Sequence, residues 1–477
     1  MTHLVCIGGS DGGISAALRA RELDPDVGLT VMLGDAYPNF SICGIPYYVS
    51  GDVADWHDLA HRTRSDLEAL GIRLLTDTCA RHIDVAAHEV RATDGGAHER
   101  TIGYDRLVVA TGAVPVRPRV AGLDRLGPDD GVHPLHTMAD THAIMATLAT
   151  RRPERAVFVG AGYIGLEMAE ALSARGIAVT VLEALPHVLP TLDGPLGDLV
   201  AGKLVDHGVA VRTSTTVTAI ADDGSRLTVR AASASADTSD ALTVELHAEI
   251  VLVVTGVTPD TALAKDAGLA LTPKGAIRVD RHMRSGLPDI YAAGDCVLTH
   301  HVLLGETYLP LGTTAHKQGR IAGENALGGD RHFEGSLGTQ VVKVFDLVAA
   351  RTGIRDHEAA PVGYEPRTVA SIADDHKAYY PGATSVHVRV TGDVVTGRLL
   401  GVQMVGAIPS AVHKRIDTAA TAIFTGLGIG QLSDLDLSYT PPLGSPWDLL
   451  QAAAQRWSTA TPLPPPGAAV ATTPTAT

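Results

Sequence analysis

Two kinds of residue in this sequence are spaced to do chemistry: glycines that turn a strand into a helix, and a cysteine set in a loop. Leu4-Val5-Cys6-Ile7 runs into Gly8-Gly9-Ser10-Asp11-Gly12-Gly13, and Ala156-Val157-Phe158-Val159 runs into Gly160-Ala161-Gly162-Tyr163-Ile164-Gly165. Such a loop can hold a pyrophosphate. One glycine permits the sharp turn, one lets the backbone approach the phosphates, and one allows the helix to pack closely on the strand. The free N–H groups at the helix start then face the anion. A single loose copy is as readily an ordinary strand–helix turn. Two copies, each followed by a helix pattern and another strand, read as two dinucleotide sites. Gly8, Gly9, Gly12 and Gly13 are assigned to the first, and Gly160, Gly162 and Gly165 to the second. Glu183 ends the strand Val179-Thr180-Val181-Leu182 and suits ribose hydroxyls; Ala184, Leu185 and Pro186 offer no cation for a 2′-phosphate, so NADH is favoured there over NADPH. The first unit has Leu33 where an acid is expected, and Asp35 is taken as its ribose ligand.

Cys6, Cys43, Cys79 and Cys296 are too few and too scattered for a disulfide framework or a zinc site. Cys6, Cys79 and Cys296 lie in or beside strand patterns and read as inert packing. Cys43 lies in a loop, before Gly44-Ile45-Pro46, which has the look of a helix start. A helix start lowers a thiol pKa from about 8.5 to roughly 3.5–7.5 and so supplies the thiolate, which is the nucleophile. His57 and His61 are spaced i, i+4 on an expected helix. With no third ligand nearby in the sequence they are read as a solvated face, and no metal site is assigned.

The elements that must position these groups follow the same plan. Ala110-Thr111-Gly112 and Gly256 end apolar strands, and Ile290-Tyr291-Ala292-Ala293-Gly294-Asp295 is a buried strand that ends in an acid. From about Gly335 the pattern changes to alternating strands, with a helix pattern over Lys414–Phe424. The stretch Ala231–Ala241 reads as a flexible hairpin loop, and the Pro, Ala and Thr of Ser458–Thr477 as a disordered tail. The chain has 477 residues, 45% hydrophobic and 19% charged, enough for large cores. With Lys plus Arg 38 against Asp plus Glu 53, a net charge of -15 and 4% aromatics, it is a poor nucleic-acid binder. No apolar run reaches the ~18 residues of a membrane span, and the N-terminus has no basic n-region, so a cytoplasmic protein is expected.

Together the two dinucleotide units, Ala110-Thr111-Gly112 and Ala292-Ala293-Gly294-Asp295 resemble the two-dinucleotide flavoprotein family. The resemblance covers residues 1 to about 457 and implies an α/β fold: two Rossmann-like dinucleotide-binding domains, for FAD and NAD, plus an α+β dimerisation domain. The implied ranges are 1–115 with 256–330 for FAD, 116–255 for NAD(P) and 335–457 for dimerisation, in a homodimer. Ala110, Thr111, Gly112, Gly294 and Asp295 then join the flavin site, with Asp295 at the ribityl-phosphate. Gly256 joins the nucleotide-binding residues, and Glu167 either meets the nicotinamide amide or packs.

The run Asn39-Phe40-Ser41-Ile42-Cys43-Gly44-Ile45-Pro46-Tyr47-Tyr48 is similar to that of the coenzyme A-disulfide reductase group, whose relatives are NADH oxidases, peroxidases and persulfide reductases. Tyr48 stands where two-cysteine reductases have their second cysteine, which excludes an internal redox disulfide. Ala378-Tyr379-Tyr380-Pro381-Gly382 and Ser438-Tyr439-Thr440-Pro441-Pro442 match the segments that carry that group's catalytic tyrosines. The resemblance implies Cys43, Tyr379 and Tyr439 as catalytic residues, with Tyr380 the substitute for Tyr379, and a small thiol disulfide or persulfide as substrate. The alternative it leaves is an NADH oxidase that reduces O₂ through a Cys43 sulfenic acid. Asp11 stands where peroxidases and oxidases have a histidine, and Ile42 where coenzyme A-disulfide reductases have asparagine.

Overall fold

The computed structural model describes residues 1–233 and 242–461. They form two compact units: Met1–His301 with Gly305–Ser336, and Val302–Leu304 with the chain from Leu337 onward.

The first unit is built on two parallel five-stranded sheets. One has the order Ile290–Ala292, Arg106–Val109, His3–Ile7, Gly28–Met32, Ile72–Leu75. The other has the order Ala210–Arg212, Ala178–Leu182, Arg155–Val159, Ile250–Val253, Val132–His133. Beyond their first residues the central strands are apolar because both faces are covered: Leu4, Val5 and Cys6 are fully buried, as are Leu107, Val108 and Val109. The late strand Ile290–Ala292 pairs with Arg106–Val109, so the chain returns to its first sheet after building the second.

The helix Asp11–Leu23 buries Gly12, Gly13, Ile14, Ser15, Ala16, Ala17 and Ala20. These small residues let the helix Gly312–Ala326 come into backbone contact with it. A Cβ on Gly319 would lie 2.2 Å from the Gly12 carbonyl oxygen, and one on Gly323 2.2 Å from that of Ala16.

The second unit is an antiparallel sheet of order Gln340–Val344, Leu347–Gly353, Leu399–Ala407, Ser385–Asp393, Pro366–Asp374. The helices Val412–Phe424 and Leu449–Ala460 close its core, with Trp457 fully buried.

Three sequence expectations need correction. Residues 231–233 belong to the strand Leu227–Ser233, which pairs antiparallel with Leu242–Ala248; the rest of the expected hairpin loop, 234–241, lies outside the described residues. The expected tail begins too early, since the final helix runs to Ala460; residues 462–477 lie outside the described residues. His57 and His61 do not share an α-helix. His57 sits in the short 3-10 turn Trp56–Leu59, where the Asp55 carboxylate takes its amide and imidazole, and His61 lies beyond the turn.

Candidate active site

The first glycine loop forms as its spacing predicts. Gly8 has φ +125°, and a Cβ there would lie 2.0 Å from the Ala110 carbonyl oxygen. A Cβ on Gly13 would lie 2.0 Å from the Gly8 oxygen, and one on Gly9 2.7 Å from the Leu33 side chain. Leu33 therefore packs under the loop while Asp35 emerges beyond the strand, its carboxylate accepting the Tyr37 amide at 3.0 Å. Burial raises the Asp35 pKa. Ser10 precedes the helix with no side-chain cap, so the first-turn N–H groups are left for a ligand.

Ala110 follows Arg106–Val109 and meets this loop, whereas Thr111 Oγ1 donates to the Asp260 carbonyl and the Gly112 carbonyl accepts from the Asp260 amide at 3.0 Å, with Gly112 at φ +73°. Gly12 approaches Ala293, and the Gly294 amide donates to Gln318 Oε1 at 3.0 Å. Asp295 follows at the same sheet edge. Burial, helped by the negative charge of Asp11, pushes its carboxyl up to about 6.

The second loop repeats the design. Gly160 has φ +108°, a Cβ on Gly165 would lie 2.4 Å from the Gly160 oxygen, and Gly162 faces open space. The helix Tyr163–Ala174 has Gly162 at its N-cap with no side-chain cap. Glu183 is buried; its Oε2 accepts the Ala161 amide at 2.7 Å and its Oε1 the Leu185 amide at 2.9 Å. The acid that closes the unit thus also holds the glycine loop. Gly256, at φ +105°, accepts from the Val116 amide at 2.9 Å.

Cys43 lies in the 3-10 turn Ile42–Gly44, which leads into the helix Ile45–Ser50 with Pro46 in its first turn. It is exposed, whereas Cys6 and Cys296 are buried and Cys79 is intermediate. Burial pushes the Cys6 thiol up to about 12 and that of Cys296 to about 11, so neither is a nucleophile at neutral pH. Cys43 is open to solvent yet closely surrounded by protein. Crowding by protein raises its pKa first, and the charges of Glu167, Asp11 and Asp295 raise it further. The acid thiol expected from a helix start is therefore not what the protein alone provides: burial, then three carboxylates, outweigh a six-residue helix. The same charges place Cys43 among residues of both glycine-loop units. Glu167, from the second loop's helix, also acts on Tyr47 and Tyr163.

A family model described as pyridine nucleotide-disulphide oxidoreductase matches residues 2–319, and one for the dimerisation domain of the same family matches residues 339–449. The NAD(P)H coenzyme A polysulfide/persulfide reductase of Pyrococcus horikoshii is 34% identical over 454 residues, covering 95% of this chain and 97% of that protein. An NADH oxidase of Methanocaldococcus jannaschii is 31% identical over 454 residues, covering 94% and 97%. The solved NAD-dependent persulfide reductase of A. fulgidus superposes with a TM-score of 0.88 at 36% identity, covering 96% of this chain and 83% of that one. The chain belongs to the pyridine nucleotide-disulphide oxidoreductase family.

Members of this family use FAD and NAD(P)H, and the two loops fit them. The first offers the uncapped helix start and a glycine cradle that side chains would fill. Nearby, the Tyr308 hydroxyl is buried with no hydrogen-bond partner, and it feels the charges of Asp295 and Tyr163. A flavin there would meet a donor that nothing else uses. The second loop offers Glu183 and an open Gly162.

Three residues at the site, Tyr163, Tyr308 and His316, escaped the sequence reading, and the reading of His61 as part of a solvated face missed its neighbours. Tyr163 and Tyr308 are single aromatics whose place only folding reveals, although Tyr163 directly follows a loop glycine. His316 and His61 come from distant segments to Asp11: His316 Nε2 lies 3.2 Å from Asp11 Oδ1, and its Nδ1 lies 2.9 Å from Ser15 Oγ.

In the second unit of this oxidoreductase, Tyr379 and Tyr439 are brought together. They are 74% and 44% exposed, and a hydrogen bond to Tyr439 raises the Tyr379 pKa. Tyr380 turns toward His376 instead, with ring centroids 5.8 Å apart. The pairing favours Tyr379 over Tyr380 as the partner of Tyr439. Among the described residues no helix is long and apolar enough to cross a membrane.

Proposed function

We propose that the protein is an FAD-dependent NAD(P)H oxidoreductase that reduces a low-molecular-weight disulfide or persulfide, of the coenzyme A type, through Cys43. The observation that carries this is the exposed thiol of Cys43, set among charged residues of both dinucleotide units while Cys6 and Cys296 are sealed in cores. The domain ranges of the sequence analysis apply: 1–115 with 256–330 for FAD, 116–255 for NAD(P)H with NADH preferred, and 335–457 for a homodimer interface. The four free cysteines suit a reducing cytoplasm.

When bound, the flavin accepts a hydride from the nicotinamide and supplies two electrons at the Cys43 sulfur. The Cys43 thiolate attacks R–S–S–R, forming Cys43–S–S–R and releasing R–S⁻, which takes a proton. Two electrons and a proton then split Cys43–S–S–R into the Cys43 thiolate and R–SH. The net change is NADH, one disulfide and one proton to NAD⁺ and two thiols. Because reduction delivers Cys43 as the thiolate, the raised thiol pKa does not stop the cycle. Tyr379 and Tyr439, supplied by the partner subunit, protonate the leaving sulfur. Ala110, Thr111, Gly112, Gly294 and Asp295 hold the flavin, Asp35 its ribose, and Glu183 the ribose of NADH.

Intact-mass measurement of the protein under non-reducing conditions tests this reading. A small thiol bound at Cys43 identifies the substrate. Cys43→Ser is expected to keep FAD and lose disulfide turnover; retained turnover would remove the mechanism. A second reading, NADH oxidase, is favoured by one observation: His316 returns an imidazole to Asp11, at the position where oxidases carry histidine. One O₂ consumed for every two NADH, without added disulfide and without released peroxide, would establish it.

A further inference from the structure

Asp11, His61 and His316 each bring one ligand atom to a single point, all within 4.8 Å of one another. They come from three separate places. Asp11 opens the helix Asp11–Leu23, His316 lies in the first turns of Gly312–Ala326, and His61 lies in a loop where its own amide donates to the Asn39 carbonyl at 3.0 Å. The close contact between the two helices, possible because Gly319 carries no side chain against the Gly12 carbonyl, brings Asp11 and His316 together.

The spacing suits a metal ion. Zinc binds histidine nitrogen at about 2.0–2.1 Å and carboxylate oxygen at about 2.0–2.2 Å, so neighbouring ligands of a tetrahedron stand about 3.3 Å apart. His316 Nε2 and Asp11 Oδ1 are 3.2 Å apart. The other ring nitrogen of His316 is held by Ser15 Oγ at 2.9 Å, and metal-binding histidines are oriented in this way. The His61 ring stands at 72° to that of His316, with centroids 6.2 Å apart, so the two imidazoles approach from different sides. His57, by contrast, is already bonded to Asp55 at 2.6 Å and stacked on Trp56. Cys43 stands outside the group, but the charge of Asp11 reaches it.

We propose that Asp11, His61 and His316 form a site for a divalent transition metal of the zinc type, within electrostatic reach of Cys43, with its fourth position open. Two imidazoles and one carboxylate select Zn²⁺, Cu²⁺ or Ni²⁺ over Mg²⁺ and Ca²⁺, which prefer all-oxygen sets. An ion here cancels the Asp11 charge that acts on Cys43, and so changes turnover at the thiol. The site would make the enzyme sensitive to free zinc.

The test uses the FAD-loaded protein, equilibrium dialysis against Zn²⁺ with metal analysis, and Co²⁺ as a spectroscopic probe at wavelengths beyond the flavin bands. The expected result is one ion per chain, unaffected by millimolar Mg²⁺. Affinity should fall about tenfold or more in His61→Ala and in His316→Ala, each with its flavin absorbance intact. His61→Ala should also lose the response of turnover to added zinc that the parent protein shows. No Zn²⁺ bound at about 100 μM would overturn the proposal, as would binding undiminished in both histidine variants. Loss of the ion only in Cys43→Ser would also sink it, because the thiol would then be the ligand. Metal content is read without turnover, so a failed disulfide-reductase reading would leave this outcome legible.

Discussion

The reactivity of Cys43 depends on exposure more than on acidity. Its neighbours Glu167, Asp11 and Asp295 oppose the thiolate, yet it is open to solvent where Cys6 and Cys296 are not. On the proposed mechanism the proton for the leaving sulfur comes from the hydrogen-bonded tyrosines. Tyr439→Phe is therefore expected to slow disulfide turnover by about 10²-fold, the low end for loss of a general acid, while NADH still reduces the flavin at the native rate. Stopped-flow absorbance separates the two steps. Equal slowing of both would show that Tyr439 matters to folding or assembly instead. Glu183 illustrates a second residue-scale point. Its buried carboxylate accepts from the Ala161 and Leu185 amides, so on the proposed reading a role toward the nucleotide cannot be separated from its hold on the loop.

At the scale of elements, the site depends on how closely two helices approach. Gly319 lies against the Gly12 carbonyl, and both atoms in that contact belong to backbone that cannot rotate away. Gly319→Ala is expected to force the helices apart and to cost about 1–3 kcal/mol, with weakened flavin retention. Gly202, in the helix Gly194–Asp206, has nothing within 4 Å of its would-be Cβ. Gly202→Ala should be neutral or stabilising by up to about 1 kcal/mol, since it only removes backbone freedom from the unfolded chain. Thermal melts of the two variants, with released FAD measured by fluorescence, compare them directly. Similar melting temperatures would mean that the first contact is not tight.

For the whole molecule, acid stability is set in part far from the site. Glu358 lies in the second unit beside Arg351 and Arg355. Burial alone would raise its pKa, but the Arg355 hydrogen bond and the Arg351 charge win and hold it at about 2. A carboxyl with a depressed folded pKa stabilises above its unfolded value, near 4.5, and loses that contribution as pH falls toward 2. The full effect is at most about 3 kcal/mol. Glu358→Gln should therefore flatten the fall in unfolding free energy between these pH values. An unchanged pH profile in the variant would show that other carboxylates carry the acid response.

How much of this was legible beforehand follows from the range of each interaction. The glycine loops, the acid after the second, the strand ends at Ala110 and Gly294 and the change of character near Gly335 are local: a turn conformation or a hydrophobic run writes itself into consecutive residues. So the fold class and both dinucleotide loops could be read from the sequence, as could the one cysteine placed in a loop. Spacing misled where it assumed a helix, at His57 and His61, because the 3-10 turn Trp56–Leu59 ends the regular geometry between them. Whether the Cys43 thiol would be acidified, that Tyr379 and not Tyr380 meets Tyr439, and that His61 and His316 converge on Asp11 were decided only in three dimensions. Each depends on charges or side chains tens to hundreds of residues apart, which adjacency in the chain does not encode.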